Sequence, residues 1–167
     1  QTVTWLFEGR VLHRDALGSV QTIEPGQLNL MTAGNGICHS EEGTLTHFPD
    51  QRGLHGVQLW TALPESTRHG ERAFEHVAEV PSFTVDGALV QVFMGTLGGA
   101  TSPARADTPL VAAQLDIPAG TSVQLPVDPT FEHGVLLDSG ELDVEGTALE
   151  PAWLAYLAPG REVIALR

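Results

Sequence analysis

The chain opens Gln1-Thr2-Val3-Thr4-Trp5-Leu6-Phe7-Glu8-Gly9-Arg10-Val11-Leu12, and the fold class is decided by how these residues are read. Val3, Trp5 and Phe7 alternate with Thr2, Thr4 and Glu8. Successive side chains of an extended chain point to opposite faces, so this period of two predicts a half-buried strand with Glu8-Gly9-Arg10 as a turn. Working outward, Gly18 within Asp15 to Ser19, then Pro25-Gly26, then Ala33-Gly34-Asn35-Gly36 interrupt the chain at turn-sized intervals. Short strands at that spacing predict an all-β barrel or sandwich. Gly56-Val57-Gln58-Leu59-Trp60 reads as a compact apolar strand, and Ser82 to Met94 as a hairpin about Asp86-Gly87. Only Pro64 to His76 is polar and charged enough for a short helix or an ordered loop.

Gly95 to Pro109, rich in Gly, Pro and small residues, predicts a linker or long loop. A boundary there divides the chain into residues 1–105 and 106–167. Beyond it, strands are expected at 110–117, 122–127, 134–137, 141–144, 153–157 and 162–166, punctuated by Pro-Ala-Gly, Asp-Ser-Gly, Val-Glu-Gly and Ala-Pro-Gly. A unit of roughly 60 residues buries little core alone, so it is expected to pack on the first. The two halves share a loose rhythm of strand, acidic-Gly turn, strand, Pro-Gly and apolar strand, which suggests a duplicated barrel.

Composition removes several function classes. With 8 basic residues against 21 acidic ones the formal charge is −13, which argues against an extended phosphate-binding surface and therefore against direct nucleic-acid binding. All the basic residues are Arg, so a Schiff-base or phosphate-loop lysine is absent from the inventory. No apolar run reaches the ~18 residues of a membrane span. The single cysteine, Cys38, has no intrachain disulfide partner. These features read as a cytoplasmic protein without a membrane partner. The first methionine is Met31, from which an upstream segment is expected.

In Gly36-Ile37-Cys38-His39-Ser40-Glu41-Glu42, His39 and Glu41 stand two apart, so on a strand an imidazole and a carboxylate converge on one face while Cys38 points away. That donor pair suits Fe(II), Mn, Zn or Ni, whereas a soft metal would want thiolates. Spacing alone favours a plainer pattern, a core-satisfied His and a solvated Glu on a strand leading into a loop.

Three runs shift that balance. Met31-Thr32-Ala33-Gly34-Asn35-Gly36-Ile37-Cys38-His39-Ser40-Glu41 resembles the signature of the pirin family of the cupin superfamily. Leu54-His55-Gly56-Val57-Gln58-Leu59-Trp60-Thr61-Ala62-Leu63-Pro64 resembles a second family run, and Gln1 to Gly9 followed by His13-Arg14-Asp15 a third. The resemblance covers the first 64 residues or so; the remainder is similar only in rhythm. It implies two tandem cupin-type β-barrels (a bicupin), with one metal in the N-terminal barrel, usually iron, held by three His and one Glu. His39 and Glu41 match two of those ligands; the family's His-x-His pair would lie just before Gln1, so the chain is expected to lack it. The C-terminal unit, where Phe131-Glu132-His133-Gly134 offers no three-ligand set, is expected to be metal-free and incomplete.

The implied activity is that of a quercetin 2,3-dioxygenase-type oxidoreductase using dioxygen on a flavonol or similar small aromatic substrate, with a single divalent metal, Fe(II) first and Mn, Zn or Ni as alternatives. Glu41 would then also be catalytic, taking a proton from the substrate hydroxyl. The competing expectations are a metal- or redox-dependent regulator that docks on a transcription factor or metabolic enzyme, and a structural remnant with an empty barrel. Among the other histidines, His55 is expected in the pocket or packed between strand and loop, and His13, His47, His69, His76 and His133 on the surface or in loops. Glu42 reads as a solvated charge, and Trp5, Phe7 and Trp60 as core.

Overall fold

A computed structural model describes residues 1–167 and contains strands and turns but no helix. The all-β class predicted from the alternation is therefore observed. Two compact units divide the chain. Unit one comprises Gln1–Val80, Phe93–Gly95 and Ser102–Pro109; unit two comprises Pro81–Val92, Thr96–Thr101 and Leu110–Arg167. The division thus does not fall at one point near residue 105, because the hairpin at 82–94 has its contacts with the later strands.

Unit one contains β1 (Thr2–Glu8), β2 (Val11–Asp15), β3 (Val20–Ile23), β4 (Leu28–Thr32), β5 (His39–Glu42), β6 (His55–Trp60) and β7 (Ala73–Val77). These form a four-stranded sheet of order β6-β1-β4-β7 and a three-stranded sheet of order β3-β2-β5. Every pairing in them is antiparallel. The opening strand is buried more deeply than its alternation predicts: Val3, Thr4, Trp5 and Leu6 are all buried, because β1 lies inside its sheet with both faces covered. Trp5 is fully buried and stacks on Phe93, with ring centroids 4.5 Å apart. Removing an indole from water contributes on the order of 4–6 kcal/mol at ~25 cal/mol per Å². Leu28 and Leu30 of β4 extend this core, while Leu6, Val11 and Ile23 form a separate cluster. Gly9 closes the predicted turn at φ +83°, where a Cβ would also meet the Gly53 carbonyl oxygen at 2.4 Å.

Unit two contains β8 (Ser82–Val85), most of β9 (Ala88–Met94), β10 (Thr96–Leu97), β11 (Ala100–Thr101), β12 (Ala112–Asp116), β13 (Val123–Pro126), β14 (His133–Leu136), β15 (Leu142–Val144), β16 (Thr147–Leu149), β17 (Leu154–Leu157) and β18 (Val163–Leu166). Its sheets run β12-β9-β8 and β13-β18-β15-β16, with the pairs β10-β11 and β14-β17. Its core is Val90, Val92, Val123, Leu125, Ile164 and Leu166 among others. The β8–β9 hairpin turns at Asp86 and Gly87 with φ 49° and 86°, the double positive φ of a type I′ turn.

Three expectations are corrected. Pro64 to His76 holds no helix: its first part is turns, and β7 begins at Ala73 as the fourth strand of the larger sheet. The expected linker at 95–109 contains the short β10–β11 hairpin. Strand β16 was not anticipated; it pairs with β15 across Glu145-Gly146, both at positive φ. No helix is long and apolar enough to cross a membrane.

Candidate metal centre

The site begins with register. On β5, His39 lies opposite Asp15 and Glu41 opposite His13 of β2. Directly opposed residues in an antiparallel pair share a face, so His39, Glu41, His13 and Asp15 all project from one side of the β3-β2-β5 sheet. The two-residue spacing thus places His39 and Glu41 together, as predicted. Both residues are exposed to solvent, on an edge strand of the three-stranded sheet. Cys38 is exposed and unpaired by any disulfide.

The Glu41 carboxylate reaches across to the other sheet. Gln58 Nε2 of β6 donates to Glu41 Oε2 at 2.7 Å, and Thr4 Oγ1 of β1 donates to Glu41 Oε1 at 3.4 Å. Gln58 Nε2 also donates to Thr4 Oγ1 at 3.2 Å. These three residues come from strands far apart in sequence, and only the antiparallel register of β6 with β1, which sets Gln58 opposite Thr4, brings them together.

On its own sheet, His13 is 2% exposed, and its ring lies between Phe74, centroids 4.4 Å apart, and His39, 5.7 Å apart. His13 Nε2 pairs with Asp15 Oδ2 at 3.2 Å, while its Nδ1 is 3.9 Å from Glu41 Oε1, beyond hydrogen-bond reach. The Asp15 carboxylate also accepts the backbone N–H groups of Leu17 and Ser19 at 2.9 and 3.0 Å. Burial alone would raise its pKa; the hydrogen bonds from His13, Ser19 and Leu17 outweigh that and hold it below the ordinary carboxylate value. Ionised Asp15 only accepts, so Nε2 is the protonated nitrogen of His13 in this contact.

A polar row crosses the larger sheet on the face that meets Glu41. Gln58, Thr4, Asn29 and His76 are successive cross-strand partners on β6, β1, β4 and β7. His76 Nδ1 and Asn29 Oδ1 are 2.8 Å apart, and desolvation lowers the His76 pKa, keeping the ring neutral near pH 7. Asn29 is 3% exposed, and its Nδ2 has no hydrogen-bond partner.

Two histidines expected at the surface are therefore structural: His13 is core, and His76 is a half-buried strand residue. The signal for His13 was present, since His13-x-Asp15 repeats the two-residue spacing of His39-x-Glu41. His55 packs against the Phe7 ring at 5.4 Å and does not join His39 and Glu41. His47 pairs with Glu42 at 2.7 Å, and Arg14 donates to the same carboxylate at 2.7 Å, so Glu42 is a paired charge and not a free one. His69 is an exposed loop residue as expected, bonded to Asn35, and His133 lies on β14. Trp60, expected in the core, is 88% exposed at the end of edge strand β6.

The donors can be tested against a metal by their chemistry. One imidazole and one carboxylate on a common face fit a hard or borderline divalent cation. Glu41 Oε1, held only by a long contact to Thr4, is the oxygen able to turn toward one. No set of three His, Cys, Asp or Glu side chains is arranged to hold a metal; His39 and Glu41 are the two expected donors that share a face.

The family model described as Pirin matches residues 1–61. The chain is 43% identical over its whole length to "Putative quercetin 2,3-dioxygenase PA1205" of Pseudomonas aeruginosa, covering 52% of that protein. It is 34% identical to a "Pirin-like protein" of Caulobacter vibrioides, over 98% of this chain and 57% of the relative. It also superposes with a TM-score of 0.92 on a crystal structure of a quercetin 2,3-dioxygenase from Acinetobacter baumannii, at 38% identity, covering 99% of this chain and 54% of that one. The chain spans about half the length of the curated relatives it matches.

Proposed function

Because the chain belongs to the pirin family, we propose that it supplies part of the metal centre of a quercetin 2,3-dioxygenase-type oxidoreductase acting on a flavonol or a similar small aromatic substrate. His39 and Glu41 are the proposed metal donors, the two units correspond to tandem cupin-type barrels, and Fe(II) is the first candidate cation, with Mn, Zn and Ni also matched to the donor types. The observation that carries this reading is the convergence of His39 and Glu41 on one face, with the Glu41 carboxylate turned toward β1 and β6. When bound, the cation supplies Lewis-acid and redox chemistry toward substrate oxygen and dioxygen.

The chain's own residues do the rest. Glu41 is an ionisable acceptor on the same face as His39, where its carboxylate would take the proton of a substrate hydroxyl. His13 and Asp15, both with buried side chains, pair on the same face, and the His13 ring lies 5.7 Å from the His39 ring. The neutral His76 and Asn29 line the inner face of the larger sheet with hydrogen-bonding groups.

The test is oxygen uptake in the presence of quercetin after loading with Fe(II) or Mn(II), compared with Glu41→Gln. Metal- and flavonol-dependent uptake that is lost in the variant is expected. Tight metal binding without any uptake would instead favour a regulatory protein whose metal alters docking on a partner.

A further inference from the structure

We propose that the outer face of the β14–β17 pair in unit two is a docking surface for a short cationic and apolar segment of another protein. The inference begins with alternation. Val135, Ala155 and Leu157 pack in or against the core of unit two, while Gly134, Leu136, Leu154 and Tyr156 are exposed. The register sets Leu136 opposite Leu154 and Gly134 opposite Tyr156, so the exposed residues share one side. Leu136 is 45%, Leu154 66% and Tyr156 63% exposed. The solvated side of an antiparallel sheet is ordinarily polar. Here it carries two leucines, a tyrosine and a glycine. A Cβ at Gly134 would stand 3.2 Å from Leu154 Cδ1, so Leu154 leans over bare backbone and the face stays shallow.

A bulge adds a further apolar group at one end. The Ala152 N–H donates to the Leu137 carbonyl at 2.8 Å and the Leu137 N–H to the Trp153 carbonyl at 3.3 Å, so two residues oppose one. Ala152 holds the left-handed position of this bulge, at φ +65°, without the freedom of glycine. A regular strand would turn Trp153 inward with Ala155; at the bulge it is 66% exposed. Contiguous apolar groups of this kind with a polar rim mark interaction surfaces, whereas single exposed apolar residues do not.

The rim decides the partner's charge. Glu132, two residues before Gly134, accepts the Tyr156 hydroxyl at 2.9 Å, and the exposed Asp138 and Glu150 flank the bulge at the other end. Neither strand carries a basic residue other than His133, and unit two as a whole has ten carboxylates against two arginines, Arg161 and Arg167. Arg161 donates to the Ala158 carbonyl, and Arg167 follows β18 of a different sheet. A Lys or Arg set among apolar side chains complements this surface, since a guanidinium stacks on a tyrosine ring and pairs with a carboxylate beside it. A second copy of the chain is a poor occupant. It would set the same carboxylates against these, and the patch falls well short of the about 20–30 residues a side of a standard interface. The surface lies in unit two and is independent of His39 and Glu41.

The test is selection of a phage-displayed library of random dodecapeptides on the parent protein, followed by fluorescence anisotropy with synthetic copies of the enriched peptides. Binding is compared in a Leu136→Ser, Leu154→Ser double variant, in Tyr156→Ser and in Glu132→Gln. Val20→Ser serves as the control, since Val20 is 64% exposed on β3 of unit one. The expected peptides combine Arg or Lys with apolar residues and bind more weakly as salt is added. Their affinity should fall about tenfold or more in the double variant and in Tyr156→Ser, fall about threefold in Glu132→Gln, and stay parental in Val20→Ser. No enrichment, enrichment of neutral or acidic peptides, or enriched peptides that bind the double variant as tightly as the parent would each overturn the proposal. Sedimentation equilibrium tests the other occupant: a parent dimer that the double variant does not form would assign the face to a second copy and overturn the cationic partner. The substituted leucines are exposed, so melting midpoints close to the parent's are expected. Should the double variant unfold, a folded Tyr156→Ser that binds as tightly as the parent would overturn the proposal by itself.

Discussion

Gly56→Ala tests whether the close packing of β6 on β1 sets the geometry of the site. A Cβ at residue 56 would stand 2.6 Å from the Trp5 carbonyl oxygen, 2.8 Å from Leu6 Cδ2 and 2.9 Å from Leu6 Cα. Two of those atoms are backbone, so no rotamer change relieves them. To reach even 3.0 Å from the carbonyl oxygen, β6 must move about 0.4 Å away from β1, against the register that pairs Gly56 with Leu6 and Gln58 with Thr4. Overpacking of this kind costs about 1–3 kcal/mol. At about 2–4 °C per kcal/mol for a chain of this size, the melting midpoint should fall by several degrees. Gln58 lies two residues on, on the same face, so its 2.7 Å bond to Glu41 should lengthen in the same variant. Differential scanning calorimetry gives the first readout and a crystal structure of the variant the second. A midpoint within about 1 °C of the parent, with Gln58 still bonded to Glu41, would refute the argument that this approach requires glycine.

Asp15→Asn should change how stability depends on pH. The folded pKa of Asp15 is depressed, so its contribution is complete above the unfolded value near 3.8 and is lost as pH falls through the lower folded value. The gap in urea midpoint between parent and variant should therefore be widest above about pH 5 and close on acidification; a gap that grows in acid would contradict the assignment. Trp60→Ser should change stability by no more than about 0.5 kcal/mol, because Trp60 is 88% exposed; a loss of 2 kcal/mol or more, on the scale of ~3–5 kcal/mol for a buried Trp, would show that it is packed.

The sequence revealed those parts of the fold that depend on local pattern. The alternation at Val3, Trp5 and Phe7 identified β1, Asp86-Gly87 identified the β8–β9 hairpin, and the spacing of His39 and Glu41 identified a common face. What escaped was set by pairing across long separations. Nothing local in Ala73 to Val77 distinguishes a strand from a polar loop; β7 exists because β4 offers it a ladder from Leu28↔Val77 to Thr32↔Ala73. His13 reads as a lone surface histidine until β5 and Phe74 of β7 cover it. Thr4 and Gln58 are ordinary polar residues of amphipathic strands, and only the β1–β6 register makes them partners of Glu41. Trp60 departs from its apolar run because β6 is an edge, and edge status is a property of the sheet and not of the segment.

The central claim, that His39 and Glu41 hold a divalent metal, is tested most directly by metal content. Parent protein and the His39→Ala, Glu41→Ala double variant would be dialysed anaerobically to equilibrium against a series of Fe(II) concentrations, and bound iron and protein measured on the same samples. Weak, saturable binding by the parent that is absent from the folded double variant is the predicted result, since two protein donors leave most of a coordination shell to water. Equal, stoichiometric metal in both would place the site elsewhere and contradict the account.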